Sequence, residues 1–156
     1  MPLIGRLAIV LLVAWASVAC QPAASSATVC RPRLATQPLW VVSAGGSATR
    51  FTVEIAATDA ERATGLAGRD DIPDGCGMLF RYAVATRHPF WMRGVRQALD
   101  VAFIAPDGRI AEIVTLQPCI ASCPRHTPAA DYTSVLEVRG GLLAALGIAA
   151  GDRVER

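Results

Sequence analysis

The residues of this chain that could do chemistry fall into three groups: paired cysteines, two carboxylates near one hairpin, and an aromatic–cationic run. Setting Cys20 aside, the cysteines are Cys30, Cys76, Cys119 and Cys123. An even set in a small exported protein most simply forms disulfides. Four cysteines allow three connectivities, and the reading favours Cys119–Cys123 with Cys30–Cys76. The first pair needs a loop between its ends, because an extended segment would hold the two Cα atoms beyond the ~4.4–6.8 Å that a disulfide spans. Pro118 and Pro124 supply such a loop. The competing reading is a metal site from Cys119, Cys123 and His126 with Cys76. It lacks a strong zinc spacing, so no metal and no cofactor are expected. A Cys-x-x-Cys redox pair is absent.

Asp100 is a charged residue in an apolar strand. A three-residue turn would pair Ala105 with Arg109, which sets Ala102 opposite Glu112 and Asp100 opposite Val114. Asp100 and Glu112 would then be diagonal neighbours on one face, within ~7–8 Å. Paired carboxylates can do acid–base work or hold a hard cation. A solvated outer face, or an Asp100 ion pair with Arg93 or Arg96, is the bland alternative. A bulge in the hairpin would break the pairing altogether.

Trp91 and Arg93 form the third group. On an extended segment they face one way, and Phe90 and Met92 face the other. A Trp beside an Arg suits a flat ligand such as a sugar ring, with Arg or Asp fixing its hydroxyls. Packing is the commoner use of strand aromatics. Nucleophilic catalysis finds no motif: no Gly-x-Ser-x-Gly elbow occurs, and His88 and His126 are the only imidazoles. All fifteen basic residues are Arg, which removes a phosphate loop of the Gly-Lys type. They are spread along the chain against 13 Asp and Glu, so no nucleic-acid footprint is expected.

These residues need elements to position them. Apolar alternation predicts a strand over Arg50 to Ala56, with order beginning near Leu39 and a turn at Gly45-Gly46-Ser47. Thr58 and Glu61 have capping-box spacing and start a short helix that Gly68 stops. Gly77 to Tyr82, His88 to Arg93 and Ala98 to Ile104 read as successive strands. Pro106-Asp107-Gly108 predicts a hairpin into Ile110 to Val114. Thr133 to Val138 is a further strand, Gly140 to Leu146 a second short helix, and Arg153 to Glu155 the last strand. Short strands with tight turns and no strand–helix alternation predict a mainly β domain, an antiparallel sandwich or barrel with two short helices.

The N-terminus carries Arg6, then an apolar run from Leu7 to Val18, then Ala19-Cys20. That is a secretory pattern, too short to span a bilayer comfortably. Cys20 stands where a bacterial lipoprotein carries its acyl chains, although Ser17 replaces the usual Leu. The expected organisation is a signal peptide over 1–19, a flexible leader over 20–38 that is lipid-anchored if Cys20 is acylated, and one β-rich domain over 39–156.

Several blocks resemble one family in fixed order: Phe51 to Ala56, Thr58 to Leu66, Gly77 to Phe80, Phe90 to Arg93, Leu99-Asp100, Val135 to Val138 and Gly147 to Val154. The chain is similar over about residues 49–155 to the domain-of-unknown-function 192 (DUF192) family. The resemblance implies a β-sandwich of jelly-roll type, often exported, with no established activity. The chain departs from the family at Ala67, where Met is usual, and at Gly94-Val95, where Asn-Thr is usual. The expected function is a non-catalytic envelope domain that binds a ligand or partner, with cell-wall glycan or another carbohydrate as ligand, through Trp91, Arg93, Asp100 and Glu112. The alternatives are a hydrolase using Asp100 and Glu112, with or without a metal, and a structural lipoprotein without a pocket. Another envelope protein is a possible partner, and nucleic acid is not.

Overall fold

The computed structural model describes residues 29–156; the expected signal over 1–19 and Cys20 lie outside the described residues. Seven strands form one sheet in the order β5-β4-β6-β3-β2-β1-β7. They are β1 (Thr36–Val42), β2 (Ala48–Ala56), β3 (Cys76–Thr86), β4 (Leu99–Ile104), β5 (Ile110–Leu116), β6 (Tyr132–Arg139) and β7 (Arg153–Glu155). Helix α1 (Asp59–Thr64) joins β2 to β3, and α2 (Leu142–Ala145) joins β6 to β7.

The sheet is mixed. β2 and β3 run parallel, and every other neighbouring pair is antiparallel. This corrects the expected antiparallel jelly-roll sandwich. Parallel neighbours need a crossover, and the chain from Ala57 to Gly75 makes one through α1. A six-residue helix is too slight a signal of strand–helix alternation to read from sequence. The sheet also curls. Its edge strands meet where Arg109 bridges Arg153 and the N–H of Ile110 donates to the Asp152 carbonyl at 2.9 Å.

Curling gives the sheet two buried faces. Leu39, Val41, Phe51, Val53, Leu79 and Leu136 pack inside the curl, with Leu142 and Leu143 of α2 among them. Met78, Phe80, Val101, Phe103 and Val135 form a second core on the outer face, covered by Leu66, Ile72, Phe90 and Met92 from connecting segments. Central strands are therefore apolar on both sides, as in β4, where all six residues are buried. Strands β3 and β6 approach closely at Gly77, where a Cβ would lie 2.5 Å from the Glu137 carbonyl.

Strand β1 begins at Thr36, inside the 20–38 span expected as a flexible leader, because the Cys30–Cys76 bridge and Glu54 hold the chain from Cys30 onward. Two further details differ from the sequence reading. Residues His88 to Arg93 do not join the sheet; they run across its outer face, tied by bridges from Phe90 to His126 and from Arg93 to Cys119. Helix α1 ends at Gly65, with φ 49°, three residues before the Gly68 that was expected to stop it. The left-handed region accommodates glycine without strain, and Gly65 lets Phe80 approach to 3.2 Å of where a Cβ would be.

Candidate functional site

On the outer face, α1, the ends of β3 and β6, and the 88–95 segment enclose a cavity of about 400 Å³. The capping box fixes the start of α1: the Glu61 N–H donates to Thr58 Oγ1, and the Thr58 N–H donates to Glu61 Oε2. One turn on, Arg62 pairs with Asp59, donates to the Arg81 carbonyl at 2.7 Å, and lies 4.9 Å over the Tyr82 ring. That anchors α1 to β3 and forms one wall.

The opposite wall is the 88–95 segment. Phe90 exchanges two backbone hydrogen bonds with His126, at 2.9 and 2.8 Å. Its ring meets Phe80, Phe103 and Tyr132 edge-on. With Phe90 and Met92 held in the outer core, Trp91 and Arg93 must turn out. Both line the cavity, and Trp91 is 40% exposed. Arg125 stacks 5.0 Å over the Trp91 ring, an arrangement attractive through the ring's quadrupole. Among the described residues, neither Arg93 nor Arg125 joins an ion pair.

Glu137 reaches the cavity from β6 and is 6% exposed. Its strand neighbours are Met78 on β3 and Val101 on β4. Burial pushes its carboxyl up to about 8 from an ordinary 4.5, and among the described residues no hydrogen bond or charged neighbour opposes the shift. It is therefore largely protonated at neutral pH and able to donate. Burial likewise raises the nearby Tyr82 hydroxyl.

Asp100 and Glu112 lie elsewhere. In the hairpin, Ile104 pairs with Ile110 but Phe103 pairs with Glu112, so Ala111 bulges out. The one-residue shift sets Asp100 opposite Thr115 and Ala102 opposite Ile113. It sends Glu112 to the Phe103 face and breaks the expected diagonal pair. Asp100, 2% exposed, accepts from Thr115 Oγ1 at 2.7 Å and from the N–H groups of Gly141 and Leu143, each at 2.9 Å. It thus caps α2, whose own N-cap residue is Gly141 and offers no side chain. Glu112 bonds His126 Nε2 and accepts from the Ala129 N–H. Neither carboxylate lines the cavity.

The cysteines pair as Cys30–Cys76 and Cys119–Cys123, the favoured connectivity, so none of their sulfurs is free to bind a metal. The sequence reading brought out Trp91 and Arg93 but passed over Glu137, Tyr82, Arg62 and Arg125. Glu137 had a visible signal: it interrupts the apolar run Val135-Leu136-Glu137-Val138 in a strand buried on both faces.

A curled mixed sheet with a pocketed outer face defines a small, one-sheet β domain stapled by two disulfides. The DUF192 family profile, described as Uncharacterized ACR, matches residues 40–156, and the chain belongs to that family. A protein of unknown function from Novosphingobium aromaticivorans DSM 12444 is 34% identical, with a TM-score of 0.74 over 87% of this chain and 98% of its own. A candidate transcription regulator from Sinorhizobium meliloti 1021 is 29% identical, with a TM-score of 0.74 over 81% and 97%. No curated protein matches.

Proposed function

We propose that this protein is a non-catalytic binding domain of the bacterial envelope, and that its cavity takes a carbohydrate, with cell-wall glycan as the natural source. The observation that carries the reading is Trp91, exposed at the mouth of a cavity of about 400 Å³. That volume suits a small ligand, and an aromatic face beside convergent polar groups suits a sugar ring. The hydrolase reading has less support, because Asp100 and Glu112 spend their oxygens on α2, Thr115, His126 and Ala129. A structural lipoprotein has no use for the cavity. The name of the Sinorhizobium protein would suggest nucleic acid, but here Arg62, Arg69, Arg87, Arg96 and Arg139 are each paired with a carboxylate.

A glycan array followed by calorimetry on the oxidised domain tests the binding. The parent binds at least one envelope saccharide, and Trp91→Ala weakens it by about tenfold or more, the value of one lost stacking contact. Full affinity in Trp91→Ala, or an array with no hits, removes the reading.

Export completes the proposal: a signal over 1–19 and a lipid tether at Cys20, for which the two disulfides are supporting company. Growth with a radioactive fatty acid tests the tether. Label should enter the parent and vanish in Cys20→Ala; an unlabelled parent, or label persisting in the variant, excludes it.

A further inference from the structure

Three features of the cavity have no partner within the described residues. Arg93 and Arg125 flank Trp91 with no carboxylate on either guanidinium. Both also border a smaller hollow of about 70 Å³ beside Trp91 and Cys123, so the two cations share one concave corner. At the far side Glu137 is more than nine-tenths buried, burial alone raises its carboxyl, and the charge it would carry there lies close enough to raise the Tyr82 hydroxyl. The carboxyl of Glu137 faces the cavity rather than a protein partner, and two exposed guanidiniums at one concave corner make it locally positive. A single occupant with an anion at one end and hydroxyls at the other would meet both.

We propose that the ligand is an acidic sugar, its ring on Trp91, its carboxylate or phosphate between Arg93 and Arg125, and a ring hydroxyl at Glu137. The proposal rests on the carbohydrate reading above and narrows it to a charge class. Guanidinium groups match both oxyanions through paired N–H donors. Arg62 takes no part, since Asp59 already neutralises it. Glu137 does not oppose the anion, because burial keeps its carboxyl mostly neutral below about pH 8. Arg125 covers one face of Trp91 from 5.0 Å, so the sugar ring takes the other face while the guanidinium holds the anion. The Cys119–Cys123 disulfide lies in the loop that carries Arg125, and the Arg93–Cys119 bridge ties that loop to the 88–95 segment.

Calorimetry at pH 7 with glucuronic acid, glucose 6-phosphate and glucose decides the matter. At least one acidic sugar should bind tenfold or more above glucose, the scale of one charge-assisted contact, and added salt should narrow the gap. Arg93→Gln and Arg125→Gln, both at exposed positions, should each weaken the acidic sugars by a larger factor than glucose and so remove most of that preference. Trp91→Ala should weaken acidic and neutral sugars alike. Preference for glucuronic acid identifies a carboxylate, and preference for the phosphate ester identifies a phosphate. Equal binding of all three sugars overturns the acidic preference and leaves the carbohydrate reading standing. No binding of any of them, with glycan-array hits for neutral oligosaccharides, overturns it too. An array with no hits at all removes both.

Discussion

Glu137 sits between Met78 and Val101 in the middle of the sheet, which is where a carboxylate is least welcome. Its folded-state pKa of about 8 against an ordinary 4.5 makes a definite statement about stability. Between those two values the folded protein holds a proton that the unfolded chain has released. The contribution of Glu137 to stability is therefore full below about pH 4.5, falls as pH rises, and levels off above about pH 8, with a slope of at most about 1.4 kcal/mol per pH unit. Glu137→Gln keeps the shape and removes the titration. Urea unfolding at pH 4, 6 and 8 should show variant and parent close together at pH 4 and the variant increasingly the more stable toward pH 8. A gap that does not widen would mean the carboxylate is already ionised inside the fold. Asp100 is the instructive contrast. It is as buried as Glu137, yet three donors meet it, so its oxygens hold α2 rather than facing a ligand.

At the scale of elements, what could be read from the chain depended on how local the cause was. The capping box at Thr58, the turn at Pro106-Asp107-Gly108 and the last strand at Arg153–Glu155 are written in adjacent residues, and they stand where expected. The alternation that turns Trp91 and Arg93 away from Phe90 and Met92 is equally local. It survives although the segment lies across the sheet instead of within it. The parallel pairing of β2 with β3 and the curl that joins β5 to β7 are made by distant contacts and leave no local trace. The Ala111 bulge is the sharpest case. One unpaired residue moved Glu112 to the opposite face and dissolved a carboxylate pair, because side chains alternate with period two and any slip inverts a strand. Glu137 was missed for a related reason. Its face becomes a cavity wall only when α1 and the 88–95 segment cover it.

At the scale of the whole molecule, the two disulfides do different jobs, and their loop lengths say so. Cys30–Cys76 spans 46 residues and fastens the N-terminal segment to the first residue of β3. That segment is also held by Glu54, which accepts from the N–H groups of Arg33 and Leu34 and pairs with buried Arg69. Cys119–Cys123 spans only 4 and pinches the loop carrying Arg125. Restricting the unfolded chain is worth about 4 kcal/mol for a closure of the first length and about 2 kcal/mol for the second. Replacing Cys30 and Cys76 by Ser should therefore lower the urea-unfolding free energy by about 4 kcal/mol, and replacing Cys119 and Cys123 by about half as much. For a domain whose total stability is typically about 5–15 kcal/mol, the first loss is a large share of the whole. A protein built this way keeps its fold best where thiols stay oxidised, which ties the architecture to the proposed export. Equal losses from the two double variants would break that connection, since loop length would then not be what sets the stability each bridge confers.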